Sequence, residues 1–380
     1  MMMKKAALLF LSLILLLSLC ACKEAPSSEQ QPEENPETDT TDTADTETAT
    51  DAVAVVNGRK VTQDEFSYFV QYYADYLTDT VGEIEDWNAD NGEGKTYGEQ
   101  AKESALEWFV YAGALTQQAS RLNLELTEED RSVLEEEWQD FLNNFENEEA
   151  AHAALEASGC SEELYRYILE IQYLNEMVFD QMYGENGQNL SDEDCATLTE
   201  GEGYIMAKHI LVLTTATDED GNSTELPEEE KAEKLEIMKE IKARLDESPE
   251  EEKEALFDEL MNEYSEDTGL ASYPGGYLFQ EGDMVTEFYD AAVALEEGDI
   301  SDIVQTVYGY HLIRRIAVDY DVIPSAYSAY AAYGYDYLTL RFLCADEAFA
   351  ESTDRWMERV EVETTDLFES LSVQDLVAVG

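Results

Sequence analysis

Large apolar residues fall along this chain in three regimes. Ala6 to Leu19 is an apolar run, Lys23 to Asp51 holds no large apolar residue, and from Ala52 onward apolar positions recur with the periods of secondary structure. The third regime opens with VAVVNGRKVTQDEF, whose first residues read as a short strand. Asn57-Gly58 reads as a tight turn, and Thr62-Gln63-Asp64-Glu65 as a capping box that starts a helix. Phe66, Phe69, Val70, Tyr73 and Leu77 then share one helical face. Three further amphipathic helices are predicted before Gly201. One carries Trp108, Phe109, Ala112, Leu115, Ala119 and Leu122. The next, entered through Thr127 to Asp130, carries Val133, Leu134, Trp138, Phe141, Leu142 and Phe145. The last follows Ser161 with Leu164, Ile168, Ile171, Leu174, Val178 and Met182. Aromatic residues at this spacing predict a helical core.

Past Gly201 the period changes. Ile205 to Leu213 reads as a strand, and Pro227 followed by Glu228, Glu229 and Glu230 suits a helix N-terminus. Ala232, Leu235, Met238, Ile241 and Leu245 give that helix its buried stripe, and Leu256, Phe257, Leu260 and Met261 mark a second one. Pro274-Gly275-Gly276 is a turn signal, Tyr277 to Phe279 a short strand, and Phe288, Ala291, Ala292 and Leu295 one face of a helix stopped by Gly298. Ile303, Val304 and Thr306, then Tyr310 to Ile313, read as two closing strands joined through Gly309. Strand, helices, strand, helix, two strands is the order of a small α+β domain with an antiparallel sheet. Farther on, Tyr327, Tyr330, Tyr333 and Tyr337 recur at helical spacing and are predicted to pack.

Charge narrows the partners. There are 87 acidic and 22 basic residues, a formal net charge of −65, which disfavours nucleic acid and anionic lipid surfaces by repulsion. Lys4 and Lys5 precede the apolar run, which is too short to prefer spanning a bilayer. Residues 1–22, ending Leu19-Cys20-Ala21-Cys22, resemble a bacterial lipoprotein signal, and the resemblance implies lipidation of Cys22. A diacylated cysteine supplies the two acyl chains that stable anchoring needs. The acidic, Thr- and Pro-containing segment 23–51 cannot bury enough surface to offset its chain entropy, so a disordered linker is expected. Cys160, Cys195 and Cys344 remain as an odd number without metal-site or disulfide-framework spacing.

The segments AKHILV, YSED, PGGYLF, GDMVTEFYDAAVALEEGDIS and TVYGYHLIRR, in that order, resemble a parvulin-type peptidyl-prolyl cis/trans isomerase domain. The VNGRKVTQDEF opening and the helical block before that domain resemble secreted foldases of the PrsA and SurA kind, as does FAESTDRWMERVEVETTDLFE near the C-terminus. The organisation expected is therefore a signal peptide at 1–22, a linker at 23–51, a helical chaperone-like domain at 52–201, the isomerase at 202–318, and a C-terminal segment at 319–380 that packs on the helical domain. The fold class is α+β, with the parvulin-like domain inserted in or following the helical one. Carried over residue by residue, the resemblance implies a catalytic set of His209, Asp267, Thr306 and His311 and a proline pocket walled by Leu278, Met284 and Phe288. No cofactor and no metal are implied, since neither Cys pairs nor an HExxH helix is present. The partners implied are unfolded or partly folded secreted polypeptides containing X-Pro bonds, and the membrane through a lipid anchor, with a homo-oligomer left open. Location is extracytoplasmic. The second function class left open is a lipid-anchored holding chaperone whose parvulin-like domain only binds.

Two departures stand out. Val285 occupies a position where many members carry Gln, and Tyr277 replaces the Asp of the common GGDLG turn, with two residues around it missing. The pocket floor is expected to differ accordingly. Asp218, Glu219 and Asp220 stand where phosphate-reading members carry basic residues, so no preference for phosphorylated clients is expected.

Overall fold

The computed structural model describes residues 52–377 apart from 218–222, Ala332 and Asp336. The expected signal, Cys22, the linker and Asp218, Glu219 and Asp220 lie outside the described residues. Two compact units are formed: one runs to Met182 and resumes at Ala348, and the other is Tyr183–Glu347.

The first unit begins with β1 (Ala52–Val56) and β2 (Arg59–Thr62), an antiparallel hairpin. Asn57 (φ 47°) and Gly58 (φ 82°) both take the left-handed conformation that a two-residue hairpin turn requires. The helices are α1 (Gln63–Val81), α2 (Tyr97–Arg121), α3 (Glu128–Asn143), α4 (Glu148–Ala157) and α5 (Glu162–Tyr183). Capping boxes at Thr62, Thr96 and Thr127 satisfy amide groups that α1, α2 and α3 leave unpaired at their starts. Phe66, Phe69, Val70 and Leu77 of α1 are buried, and Phe69 stacks on Trp108 of α2 at 4.0 Å between ring centroids. One expectation fails here. Val133 is 38% exposed, and α3 fully buries only Trp138, because its glutamates leave a narrow apolar stripe.

The second unit opens with α6 (Asp192–Leu198), capped by Ser191, and continues through β3 (Ile205–Leu213), the hairpin β4 (Thr215–Thr217) and β5 (Ser223–Glu225), α7 (Glu228–Glu247), α8 (Lys253–Tyr264), β6 (Tyr277–Phe279), α9 (Thr286–Val293), β7 (Val304–Gln305) and β8 (Gly309–Ile316). Its sheet has the order β6-β3-β8-β7 with all neighbours antiparallel. Strand alternation sorts the side chains onto two faces. Ile210 and Val212 of β3, with Tyr310 and Leu312 of β8, pack against Met238, Ile241 and Leu245 of α7 and Phe257, Leu260 and Met261 of α8. The other face sets Ala207 and Ile313 against Phe288 and Ala292 of α9. Gly309 is required by the pairing itself, since a Cβ there would sit 2.2 Å from the Val212 carbonyl oxygen.

The unit is wider than the 202–318 segment expected for the isomerase. Met206 and Leu278, at the far end of the sheet, are covered by Cys195 and by Leu340 and Cys344 of α10 (Leu340–Met357). The tyrosine-rich stretch does not form the packed helix its spacing suggested. Ser325–Tyr327 forms a 3-10 turn and Ser328–Ala331 a short helix, and Tyr330 and Tyr333 are 52% and 81% exposed.

Beyond α10 the chain returns to the first unit. Strand β9 (Val362–Thr364) pairs antiparallel with β1, Ala54 opposite Thr364, and the chain continues into α11 (Asp366–Ser370) and α12 (Val373–Val377). Among the described residues no helix is long and apolar enough to cross a membrane.

Candidate active site

Adjacent strands bring two histidines together. In the β3–β8 register Leu211 lies opposite His311 and His209 opposite Ile313, so the two imidazoles are diagonal neighbours on the α9 face. Their Nδ1 atoms are 3.1 Å apart and their rings lie nearly parallel, with centroids separated by 5.3 Å. His209 Nε2 is 3.0 Å from Asp267 Oδ2, and His311 Nε2 is 2.9 Å from Thr306 Oγ1. Asp267 comes from the loop after α8, where it caps the short turn Thr268–Ala271 and accepts the Gly269 N–H at Oδ1. The Tyr277 hydroxyl donates to Asp267 Oδ2 across 2.7 Å.

The carboxylate at one end orients the first proton of the chain. Asp267 is ionised, so His209 donates from Nε2. With that single proton on the His209 ring, Nδ1 accepts from His311 Nδ1–H. That leaves His311 Nε2 to accept from the Thr306 hydroxyl, whose oxygen in turn accepts the Tyr308 N–H. Each link requires the next to point the same way. The environment agrees. The hydrogen bond from His209 holds the Asp267 carboxyl well below the usual carboxylate range, with Tyr277 and Gly269 adding to it against the opposing effect of burial. Burial, assisted by the neighbouring His209, pushes His311 down to about 3, so it is neutral at physiological pH. Burial and then Asp267 push the Tyr277 phenol up, keeping it a proton donor.

Apolar groups surround this chain of bonds. Phe288 is buried and turns its ring edge-on to both His209 and His311, at 5.3 and 5.5 Å. Met284, Val285 and Tyr289 pack in the same cluster, with Phe279 beneath. Val285 therefore adds an apolar surface where a Gln side chain would add a polar one.

Leu278 does not belong to this pocket. Residues 277–279 form a three-residue strand whose side chains alternate, so Tyr277 and Phe279 face α9 while Leu278 points to the opposite face among Cys195, Met206, Leu340 and Cys344. The remaining six expected residues are gathered on one face. Tyr277, noted from sequence only as a departure, is the residue that sequence reasoning missed. Its position two before Phe279 in a strand was the available signal. His152, the third histidine, lies in the other unit beside Glu148 and Glu162. Among the described residues no group of three His, Cys, Asp or Glu side chains is placed to hold a metal.

Residues 209–317, which hold both histidines and every residue between them, match the PPIC-type PPIASE domain, a rotamase. Fold and site together thus define a parvulin-type peptidyl-prolyl cis/trans isomerase. Over a longer stretch the chain is 30% identical across 268 residues to Foldase protein PrsA of Caldanaerobacter subterraneus, covering 70% of this chain and 72% of that one. Foldase protein PrsA of Clostridium tetani is 24% identical over 376 residues, 95% of each chain. A solved structure of PrsA from Bacillus cereus aligns at 19% identity over 77% of this chain and 98% of that one, with a TM-score of 0.31, too low to transfer structural detail. The chain belongs to the PrsA foldase family.

Proposed function

We propose that this chain is an extracytoplasmic foldase that catalyses cis/trans isomerisation of X-Pro bonds in secreted polypeptides, held at the membrane surface through a lipid on Cys22. The observation that carries the reading is the unbroken hydrogen-bond chain from Thr306 through His311 and His209 to Asp267, lying beneath an apolar wall of Phe288 and Met284.

Rotation about an amide meets a barrier of about 18–20 kcal/mol because the planar form has partial double-bond character. Twisting decouples the nitrogen lone pair from the carbonyl and makes the amide less polar, so a dry apolar pocket favours the twisted state over the planar one. Met284 and Phe288 seat the proline ring, with Val285 and Phe279 extending the wall. The carbonyl before proline is directed at Asp267, whose two oxygens are tied by three donors and cannot swing away. The paired histidines and Thr306 hold that arrangement at a fixed geometry and move no proton to substrate. Lowering the barrier by about 5–6 kcal/mol gives roughly a 10⁴-fold acceleration. The helical segments 52–201 and 319–380 act in this reading as a chaperone-like domain into which the isomerase at 202–318 is inserted.

The test is the cis-to-trans rate of short X-Pro peptides with the chain and with Met284→Ala. Acceleration that falls at least tenfold in the variant, with the fold retained, supports the reading. No acceleration by the folded chain would overturn it and leave a holding chaperone.

A further inference from the structure

Cys195 and Cys344 come together in the layer behind β6. Cys195 lies on α6 and is fully buried, Cys344 lies on α10 and is 3% exposed, and both belong to one cluster with Met206, Leu278 and Leu340. Each thiol is close enough to the other to shift its ionisation. Cys160, the third described cysteine, is buried in the other unit against the Ser161 carbonyl. Spacing alone gave no reason to choose among the three pairings, and this contact does. We propose that Cys195 and Cys344 are a disulfide site, oxidised when the chain folds outside the cytoplasm, and that Cys160 stays a thiol.

Arg341 packs against one sulfur of the pair. Its Nη1 lies 3.8 Å from the Cys195 sulfur, and its other nitrogens are anchored by Asp192 and Asp321. Burial raises both thiols in the folded unit, with Arg341 opposing the rise at Cys195, while Cys344 is pushed up to about 12 by burial and then by its neighbour. The exchange begins at either cysteine, Cys195 for instance. Its thiolate displaces one thiolate from a small-molecule or protein disulfide, forming a mixed disulfide. Cys344 then attacks the Cys195 sulfur and displaces the second, so two cysteine thiols and one oxidant disulfide become one cysteine disulfide and two oxidant thiols. Because both sulfurs are shielded in the folded unit, the exchange takes place before α6, a helix of 7 residues, has docked.

The bond would join two segments on either side of the isomerase sheet, bracing the layer that supports Leu278 from behind while Tyr277, its neighbour in the chain, faces the active site. Only the supply of oxidant rests on the extracytoplasmic reading; the pairing rests on the contact.

The mature chain refolded in a mixture of oxidised and reduced glutathione, then denatured, alkylated and mapped, tests this. The expected result is a linked Cys195–Cys344 peptide two hydrogen masses lighter than the sum of its parts, alkylation at Cys160 alone, and a melting temperature higher by about 5 °C than after refolding with reductant. Cys195→Ala and Cys344→Ala should each abolish the redox-dependent shift while the isomerase rate is retained, and Cys160→Ala should leave the shift in place. Three alkylated thiols after oxidation, or linkage through Cys160, would overturn the proposal. A chain without isomerase activity would still report its disulfide, so the two readings fail separately.

Discussion

Replacing Tyr277 by Phe removes one hydroxyl and nothing else, which makes it the most informative perturbation of the site. The lost bond is 2.7 Å long and ends on an ionised carboxylate. Hydrogen bonds to charged groups contribute about 1.5–3 kcal/mol net. Tyr277 is only partly buried, and Asp267 keeps its donors from His209 and Gly269, so the lower end, about 1.5 kcal/mol, is expected. At 1.36 kcal/mol per pKa unit this moves the Asp267 carboxyl up by about one unit from its depressed position. A carboxyl whose folded pKa is depressed contributes stability above its unfolded pKa and loses it as pH falls through the folded one. The gap between wild type and variant should therefore be complete at pH 7 and close only as pH falls through the two folded values, the variant losing its share at the higher pH. Urea denaturation reads the stability, with the same gap expected at pH 7 and at about pH 3, since both lie above the depressed folded value, and the X-Pro isomerisation rate, expected to drop severalfold, reads the loosened Asp267–His209 pair. Gly269 supplies an internal control. A Cβ there would meet the Tyr277 hydroxyl at 2.1 Å and the ring carbon bearing it at 3.3 Å. Gly269→Ala should thus displace the tyrosine in wild type but cost about 1–2 kcal/mol less when Tyr277 is already Phe. Equal stability of Tyr277→Phe and wild type at pH 7, or an equal cost of Gly269→Ala in both backgrounds, would refute the proposed role of the hydroxyl.

Two further outcomes follow. His311 is buried neutral with its folded pKa at about 3, so the unfolded chain takes up a proton there first. Stability should fall by up to about 1.4 kcal/mol per pH unit between about pH 6.5 and 3, and a His311→Asn variant, measured by thermal unfolding across that range, should lack this share of the slope. Leu278→Ala should cost about 2–4 kcal/mol of stability by opening a cavity behind the sheet. The same variant should keep most of its isomerase rate at a temperature where it remains folded, whereas a tenfold loss would place Leu278 back in the pocket.

What could be read from the sequence follows where local chemistry is strong. The capping box at Thr62, the helix entrance at Thr127, the Asn57-Gly58 turn and the face of α1 each depend on a few neighbouring residues, and each appears as read. His209 and His311 were recognisable only because each sits inside a characteristic motif. Their 3.1 Å approach depends on the β3–β8 register, which no local pattern encodes. A three-residue strand such as 277–279 carries too few positions to fix the phase of its alternation, so Leu278 was assigned to the wrong face. The tyrosines from Tyr327 to Tyr337 have helical spacing but too few aliphatic partners to bury them. Helix α6, by contrast, has its start written in the Ser191-to-Asp194 box, although it lies outside the elements expected from periodicity.

The pairing of β1 with β9 constrains how this protein itself becomes folded. Strand β1 is the first described element of the chain, yet its partner is separated from it by nearly the whole remaining sequence, with Ala54 opposite Thr364. Contacts of such high order cannot form while the chain is still emerging, because loop closure must wait for the distant segment. The Tyr183–Glu347 unit draws its contacts from within one continuous stretch and is free to fold as soon as that stretch has been delivered. As the chain emerges the isomerase unit is thus complete first, while the opening hairpin and its helices stay without a third strand until residues 362–364 arrive. A chain truncated before Val362 should accordingly yield a native isomerase unit joined to an unfinished helical one.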